Sequence, residues 1–139
     1  MSARAVSAPL GCERGSVLIS GLLFSLALLL VIGAAVDIGR AFIVRRELAS
    51  LADDAALTGS QALDLPAVHD GRLALDPAEA RRVALRIIAA ERGVRGHASA
   101  GDERVTVTVR RRVPTVLLRL AGTSDLDVSA RATASPHAP

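Results

Sequence analysis

The sequence has no lysine, tryptophan or tyrosine, and it contains two phenylalanines and one cysteine. A single cysteine excludes a disulfide within the chain. Proteins that bind single-stranded nucleic acid stack the bases on aromatic side chains, which are nearly missing here. Although the net charge is +3 and all 17 basic residues are arginine, we therefore expect no nucleic-acid partner.

The usual signatures of catalysis and metal binding are also missing from the sequence. His69, His97 and His137 have no metal-ligand spacing, and there is no phosphate-binding loop or nucleophile elbow. Asp53 and Asp54 are adjacent, so their carboxylates would diverge by about 100° on a helix. The sequence predicts a protein that is not an enzyme, with no cofactor, no bound metal and no small-molecule substrate.

The longest hydrophobic feature is an uncharged run from Val17 to Val36, in which Ser20 and Ser25 are the only polar residues. Such a run forms a helix of about 30 Å, the thickness of the bilayer hydrocarbon. A cleaved secretory signal is the main alternative, but its apolar core is about 7–15 residues long and ends at a small-x-small site. Because this run is longer, we predict a transmembrane helix that is retained in the mature protein. The lipid bilayer is therefore one expected partner.

The helix is predicted to continue beyond the apolar run. Phe42, Leu48, Leu51 and Ala55 follow a helical spacing, and no helix-breaking residue separates them from the run. We predict one long helix from near Ser16 to about Ala62. The expected organisation is a short tail (1–15), a transmembrane helix (16–40), its continuation (41–63) and a small head (64–139).

The head is predicted to contain a helix and a small antiparallel sheet, which makes the fold class α+β. Asp76 and Pro77 start a helix that Gly93 ends, whereas residues 64–71 carry several helix breakers and predict a surface loop. Two alternating segments, 104–110 and 125–133, predict half-buried strands, and 94–100 predicts a weaker one. The segment 114–122 predicts a short helix. The buried positions of the main helix are expected to be Ala80, Val83, Ala84, Ile87 and Ile88.

The triplet Arg110, Arg111 and Arg112 is the one basic cluster. In a strand these side chains alternate between faces, which favours a solvated strand end over a binding patch. Contact with anionic lipid or a surface polymer is the functional alternative.

Four residues are candidates for contacts with a partner helix. Gly21 and Ser25 form a small-xxx-small pattern that permits close helix approach. Asp37 and Arg40 lie at the expected membrane exit, where they can simply end the hydrophobic run and pair with each other or with water. The functional alternative is that Asp37 meets a basic group on a partner's helix.

Several segments together resemble the amino-terminal part of TadG/TadE-like proteins of the Flp (tight-adherence) pilus machinery. They are residues 13–16, the apolar run, the segment 36–40 and the segment 45–57. The resemblance implies that the tail (1–15) is cytoplasmic and that the α+β head (64–139) is extracytoplasmic and pilin-like. It also implies other pilus-assembly membrane proteins as partners. Counting basic residues on the two sides of the run does not decide the orientation.

The sequence departs from the family pattern at the processing site. Processed pseudopilins of this group carry a Glu five residues after the cleaved Gly, but here Ser16 and Ser20 stand five residues after Gly11 and Gly15. We therefore expect an uncleaved anchor that acts in assembly of a Flp-type pilus or a related secretion apparatus. The alternative function is a membrane-tethered module that binds an envelope ligand or has a regulatory role.

Overall fold

A computed structural model describes residues 13–136, and a single long helix dominates it. Helix α1 runs from Glu13 to Gly59, which confirms the predicted long helix with slightly different ends. Its large apolar side chains from Val17 to Ile32 are all exposed, from 42% at Leu30 to 76% at Leu18. No other part of the described chain covers this length of helix. Between residues 13 and 136, α1 is the one helix long and apolar enough to cross a membrane.

The rest of the described chain forms a small head on the second half of α1. Three strands make an antiparallel sheet in the order β1-β2-β3, and two helices precede it. The predicted α+β class is confirmed. The elements of the head are α2 (Leu65–His69), α3 (Pro77–Ala90), β1 (Arg95–Ala100), β2 (Val105–Pro114), a 3₁₀ helix (Leu118–Ala121) and β3 (Asp125–Ala134).

Three local predictions need correction. The predicted loop at 64–71 contains α2, because Pro66 is already constrained to a helical φ in its first turn. Helix α1 ends at Gly59 and not near Ala62. The spacing groups Phe42 with Leu48 on one stripe of α1, but Phe42 is 68% exposed, since the side of α1 that faces the head carries Ala41 and Val44 instead.

The sheet has one apolar face and one polar face. Val105, Val107 and Val109 are fully buried, as their alternation predicts, and they pack with α1 and α3. The alternate residues of β2 point away from the helices. The core is thus a single layer of side chains between two helices and the sheet, filled mainly by alanine and valine.

Arg111 of β2 links the sheet to both α1 and the end of α3 at the edge of this core. Its guanidinium lies 3.3 Å from the Glu47 carboxylate of α1 and 2.9 Å from that of Glu91, just after α3. It also donates to the carbonyl oxygen of Arg92 at 3.3 Å. The arginine triplet does alternate between faces, as predicted. Arg111 points to the helix side of the sheet, where it pairs with Glu47 and Glu91, and its two neighbours point to the open side.

Helix α3 packs closely on β1 at Gly96, and this contact gives the first prediction. A Cβ atom at Gly96 would lie 2.8 Å from Cγ2 of Ile88 and 3.1 Å from the carbonyl oxygen of Thr108. Gly96→Ala should therefore lower the free energy of unfolding of the head by about 1–3 kcal/mol. The measurement is denaturant unfolding of the detergent-solubilised full chain, followed by its β-sheet circular dichroism.

Gly101→Ala is the matched control. Gly101 has a negative φ, and a Cβ atom there would meet nothing within 4 Å, so a change within about 0.5 kcal/mol is expected. Equal effects of the two substitutions would contradict the close packing of β1 on α3.

Candidate functional site

The turn that follows β2 returns to α1 and binds the side chain of Asp37. This carboxylate is 3% exposed. It accepts hydrogen bonds from three successive backbone amides, those of Val116 (3.1 and 3.2 Å), Leu117 (2.8 Å) and Leu118 (2.8 Å). We call the contact between Asp37 and residues 116–118 the junction, because it joins the head to α1 where the apolar run ends.

The junction satisfies groups that would otherwise be costly at this position. The first amides of a helix have no partner within the helix, and they form a partly positive end that suits a carboxylate. Residues 116–118 lead into the 3₁₀ helix, so Asp37 acts as its cap from a distant part of the chain. A carboxylate next to a membrane-length apolar run also needs donors, which the three amides supply.

One helical turn before Asp37, a glycine makes room for the same loop. Gly33 is buried, and the side chain of Leu117 lies directly over it. A Cβ atom at Gly33 would be 2.8 Å from both Cβ and Cγ of Leu117. Gly33 and Asp37 are four residues apart and share a face of α1. Gly33 leaves room for the side chain of Leu117, and Asp37 accepts hydrogen bonds from the backbone of the loop.

The loop is also closed by its own hydrogen bonds. The amide of Thr115 donates to the carbonyl oxygen of Ser124 at 3.0 Å, and the Thr115 hydroxyl donates to the carbonyl oxygen of Thr123. The amide of Thr123 donates to the carbonyl oxygen of Leu118 at 3.0 Å. Gly122 allows the return because its φ of 90° is strained for other residues. The junction thus holds a closed loop.

The four predicted contact residues lie on different sides of α1. With about 100° per residue, Gly21 and Ser25 share a face that is directed away from Gly33 and Asp37. Both are exposed, as is Arg40. Among the ion pairs between residues 13 and 136 there is none between Asp37 and Arg40. The contacts of Gly21, Ser25, Asp37 and Arg40 with a partner stay predictions, and Asp37 has an additional contact within the chain.

The open face of the sheet carries the remaining arginines of the cluster. Arg110 is paired in register with Arg95, so two cations stand side by side on neighbouring strands. Arg112 lies 3.4 Å from the Asp127 carboxylate, and both side chains are exposed. The arrangement fits a solvated strand end, and contact with an anionic polymer or lipid stays a prediction.

A shallow groove lies between α1 and β3, beside the junction. Its volume is about 350 Å³, and Ile38, Phe42 and Leu126 supply much of its apolar lining, with Arg45 and Asp127 also present. Within residues 13–136 there is no group of three or more His, Cys, Asp and Glu side chains that could hold a metal ion. The groove therefore offers an apolar contact surface and no evident reactive group.

The junction gives the second prediction. Asp37→Ala removes the acceptor for three amides, so the backbone amides of residues 116–118 should exchange with deuterium about tenfold faster or more. Asp37→Asn keeps one oxygen acceptor and should have an intermediate effect. Hydrogen-exchange mass spectrometry of the full chain in lipid nanodiscs measures both.

Asp53→Ala is the control for this experiment, because Asp53 is an exposed acid on the same helix. It should leave exchange at residues 116–118 unchanged. Unaltered exchange in Asp37→Ala would show that Asp37 does not hold the loop.

Comparison with known proteins identifies the part of the chain that contains α1. The family model described as "Putative Flp pilus-assembly TadE/G-like" matches residues 15–65, which include all but the first two residues of α1 and reach the start of α2. No curated protein and no solved structure matches the chain. The family match and the exposed apolar helix both support membrane anchoring, and the predicted resemblance is confirmed: residues 15–65 carry the sequence pattern of the TadE/G-like family of Flp pilus assembly.

Proposed function

We propose that the protein is a non-enzymatic, single-pass membrane component of a Flp/Tad-type pilus assembly or related secretion apparatus. The observation that carries the proposal is the coincidence of the family match with α1. The matched segment contains the membrane-length apolar run and the face of α1 that binds the head. In this proposal α1 is both the anchor and an assembly surface, and the head makes further contacts with partners.

The face of α1 opposite the head is the proposed surface for lateral contacts. It begins at Gly21 and Ser25 and continues through Ile32 and Gly39 to Ile43, at about 100° per residue. Ile32 is 58% exposed and Ile43 is 62% exposed, although Ile43 lies beyond the apolar run. An apolar stripe that extends past the membrane-length segment suits contact with another long helix better than contact with lipid alone.

The buried polar groups favour assembly over ligand binding. A binding site needs polar groups that converge on a cavity. Among residues with described side chains, the buried polar ones are Asp37, Ser60 and Thr115, and each is bonded to the chain's own backbone. Ligand binding by the head would have to use the open groove, whose lining is mainly apolar.

The third prediction concerns the lateral face. In a strain that lacks its own copy of the gene, the wild-type protein should restore surface pili and co-purify with other pilus-assembly membrane proteins. Gly21→Leu combined with Ser25→Leu should reduce this co-purification several-fold, because two small residues become bulky at the proposed close approach. Quantitative mass spectrometry of detergent extracts provides the measurement.

Ala27→Leu is the matched control for bulk, since Ala27 lies on a different side of α1. It should leave co-purification unchanged. Equal loss in both variants, or no loss in either, would contradict the assignment of this face. Normal piliation in the strain without the gene would contradict the pilus role itself.

The orientation is part of the proposal, with residues 1–15 in the cytoplasm and 16–40 across the membrane. Residues 41–63, which contain the end of α1 at Gly59, and residues 64–139 lie outside. Cys12 and His137, on opposite sides of the proposed membrane, lie outside the described residues. In intact cells a membrane-impermeant maleimide should label His137→Cys in a Cys12→Ser background and should not label Cys12 in the wild type. Labelling of Cys12 alone would reverse the orientation.

A further inference from the structure

The loop that forms the junction lies at the level of the apolar run. Leu117 packs on Gly33, which is three residues inside the end of the run at Val36. Three residues of helix correspond to about 4.5 Å along its axis. If α1 crosses a bilayer with this run in the hydrocarbon, the side chain of Leu117 lies at or below the hydrocarbon boundary.

The tip of the loop directs apolar side chains away from the protein. Val116 is 56% exposed and Leu120 is 75% exposed, while Leu117 and Leu118 are half-buried. No described residue covers Val116 or Leu120 fully. On the face of α1 that carries Gly33, the preceding turns at Leu26 and Leu30 are apolar and exposed as well. The exposed tip is therefore continuous with the surface of the anchor that faces lipid.

The backbone of the loop is prepared for a medium with little water. Unpaired amides are costly in hydrocarbon, which is why irregular segments are rarely exposed to lipid. Here the carboxylate of Asp37 accepts from residues 116, 117 and 118. The amide of Leu120 donates to the carbonyl oxygen of Leu117 at 3.0 Å, and that of Gly122 donates to the carbonyl oxygen of Arg119 at 3.1 Å.

The single charged side chain of the tip is compatible with an interfacial position. Arg119 is exposed and lies between Leu118 and Leu120. A long arginine side chain can bury its methylene groups among acyl chains while its guanidinium reaches the phosphate of a lipid headgroup. An apolar tip with one arginine is a combination typical of segments that lie in the membrane interface.

We propose that residues 116–120 insert into the interfacial layer of the bilayer that α1 crosses, so that the head has a second membrane contact beside its anchor. We propose that the exposed apolar side chains of the tip contact phospholipid. Contact at two points would limit rotation of the head about α1 and would set its height above the membrane. The inference rests on the proposed membrane-spanning role of α1.

The test uses the full chain with Cys12→Ser, reconstituted into vesicles of phosphatidylcholine and phosphatidylglycerol. A bimane fluorophore is attached to one introduced cysteine at a time: Leu120→Cys at the tip, Val31→Cys in the apolar run, or Glu103→Cys at the far end of the sheet. All three positions are exposed, so the fold should tolerate the label. Quenching is measured with lipids brominated near the headgroup end of their acyl chains and with iodide in the water.

The expected result is that the Leu120 label resembles the Val31 label. Both should be quenched by brominated lipid several-fold more than the Glu103 label, and both should be shielded from iodide. Quenching of the Leu120 label by iodide, as for Glu103, would overturn the proposal, and so would resistance to both quenchers, which would indicate a protein partner. If the Val31 label also escapes brominated lipid, the spanning role of α1 fails as well; if only the Leu120 label does, α1 spans and the inference about the loop is wrong.

Discussion

The hydrogen bonds between the Asp37 carboxylate and the amides of residues 116–118 join two parts of the chain that are 79–81 residues apart in sequence. Each partner needs the other. A carboxylate next to a membrane-length apolar run is costly without donors, and the free amides at the start of a 3₁₀ helix are costly without an acceptor. The contact removes both costs and places the head at a defined position on α1.

The other interactions of the head continue from this contact along the same side of α1. Leu117 covers Gly33 one turn before Asp37, and Ala41, Val44 and Leu48 face the sheet in the turns that follow. Arg111 then ties β2 to Glu47 and Glu91. The head occupies this side from Gly33 onward, whereas side chains on the opposite side, such as Ile32 and Ile43, are exposed. In the proposed function, this division of α1 into two faces lets one helix serve both as the anchor and as an assembly surface.

Much of the fold could be predicted because its signals are local. The apolar run, the cap at Asp76 and the alternation of β2 each specify an element from neighbouring residues. The junction could not be predicted, because nothing near Asp37 in sequence indicates that the amides of residues 116–118 donate to its carboxylate. The role of Gly33 could not be predicted either, since the sequence around a glycine in an apolar run does not indicate which distant leucine will pack on it. Phe42 was misplaced because spacing alone does not say which side of α1 the sheet chooses.

The central claim is that the loop after β2 is held on α1 at the end of the apolar run. The most direct measurement is nuclear magnetic resonance of the full chain in lipid nanodiscs, with methyl-labelled leucine. The structure predicts nuclear Overhauser contacts between the methyl groups of Leu117 and the Hα atoms of Gly33. If those methyl groups instead contact only solvent or residues of the head, the loop is not docked on α1 and the junction does not exist as described.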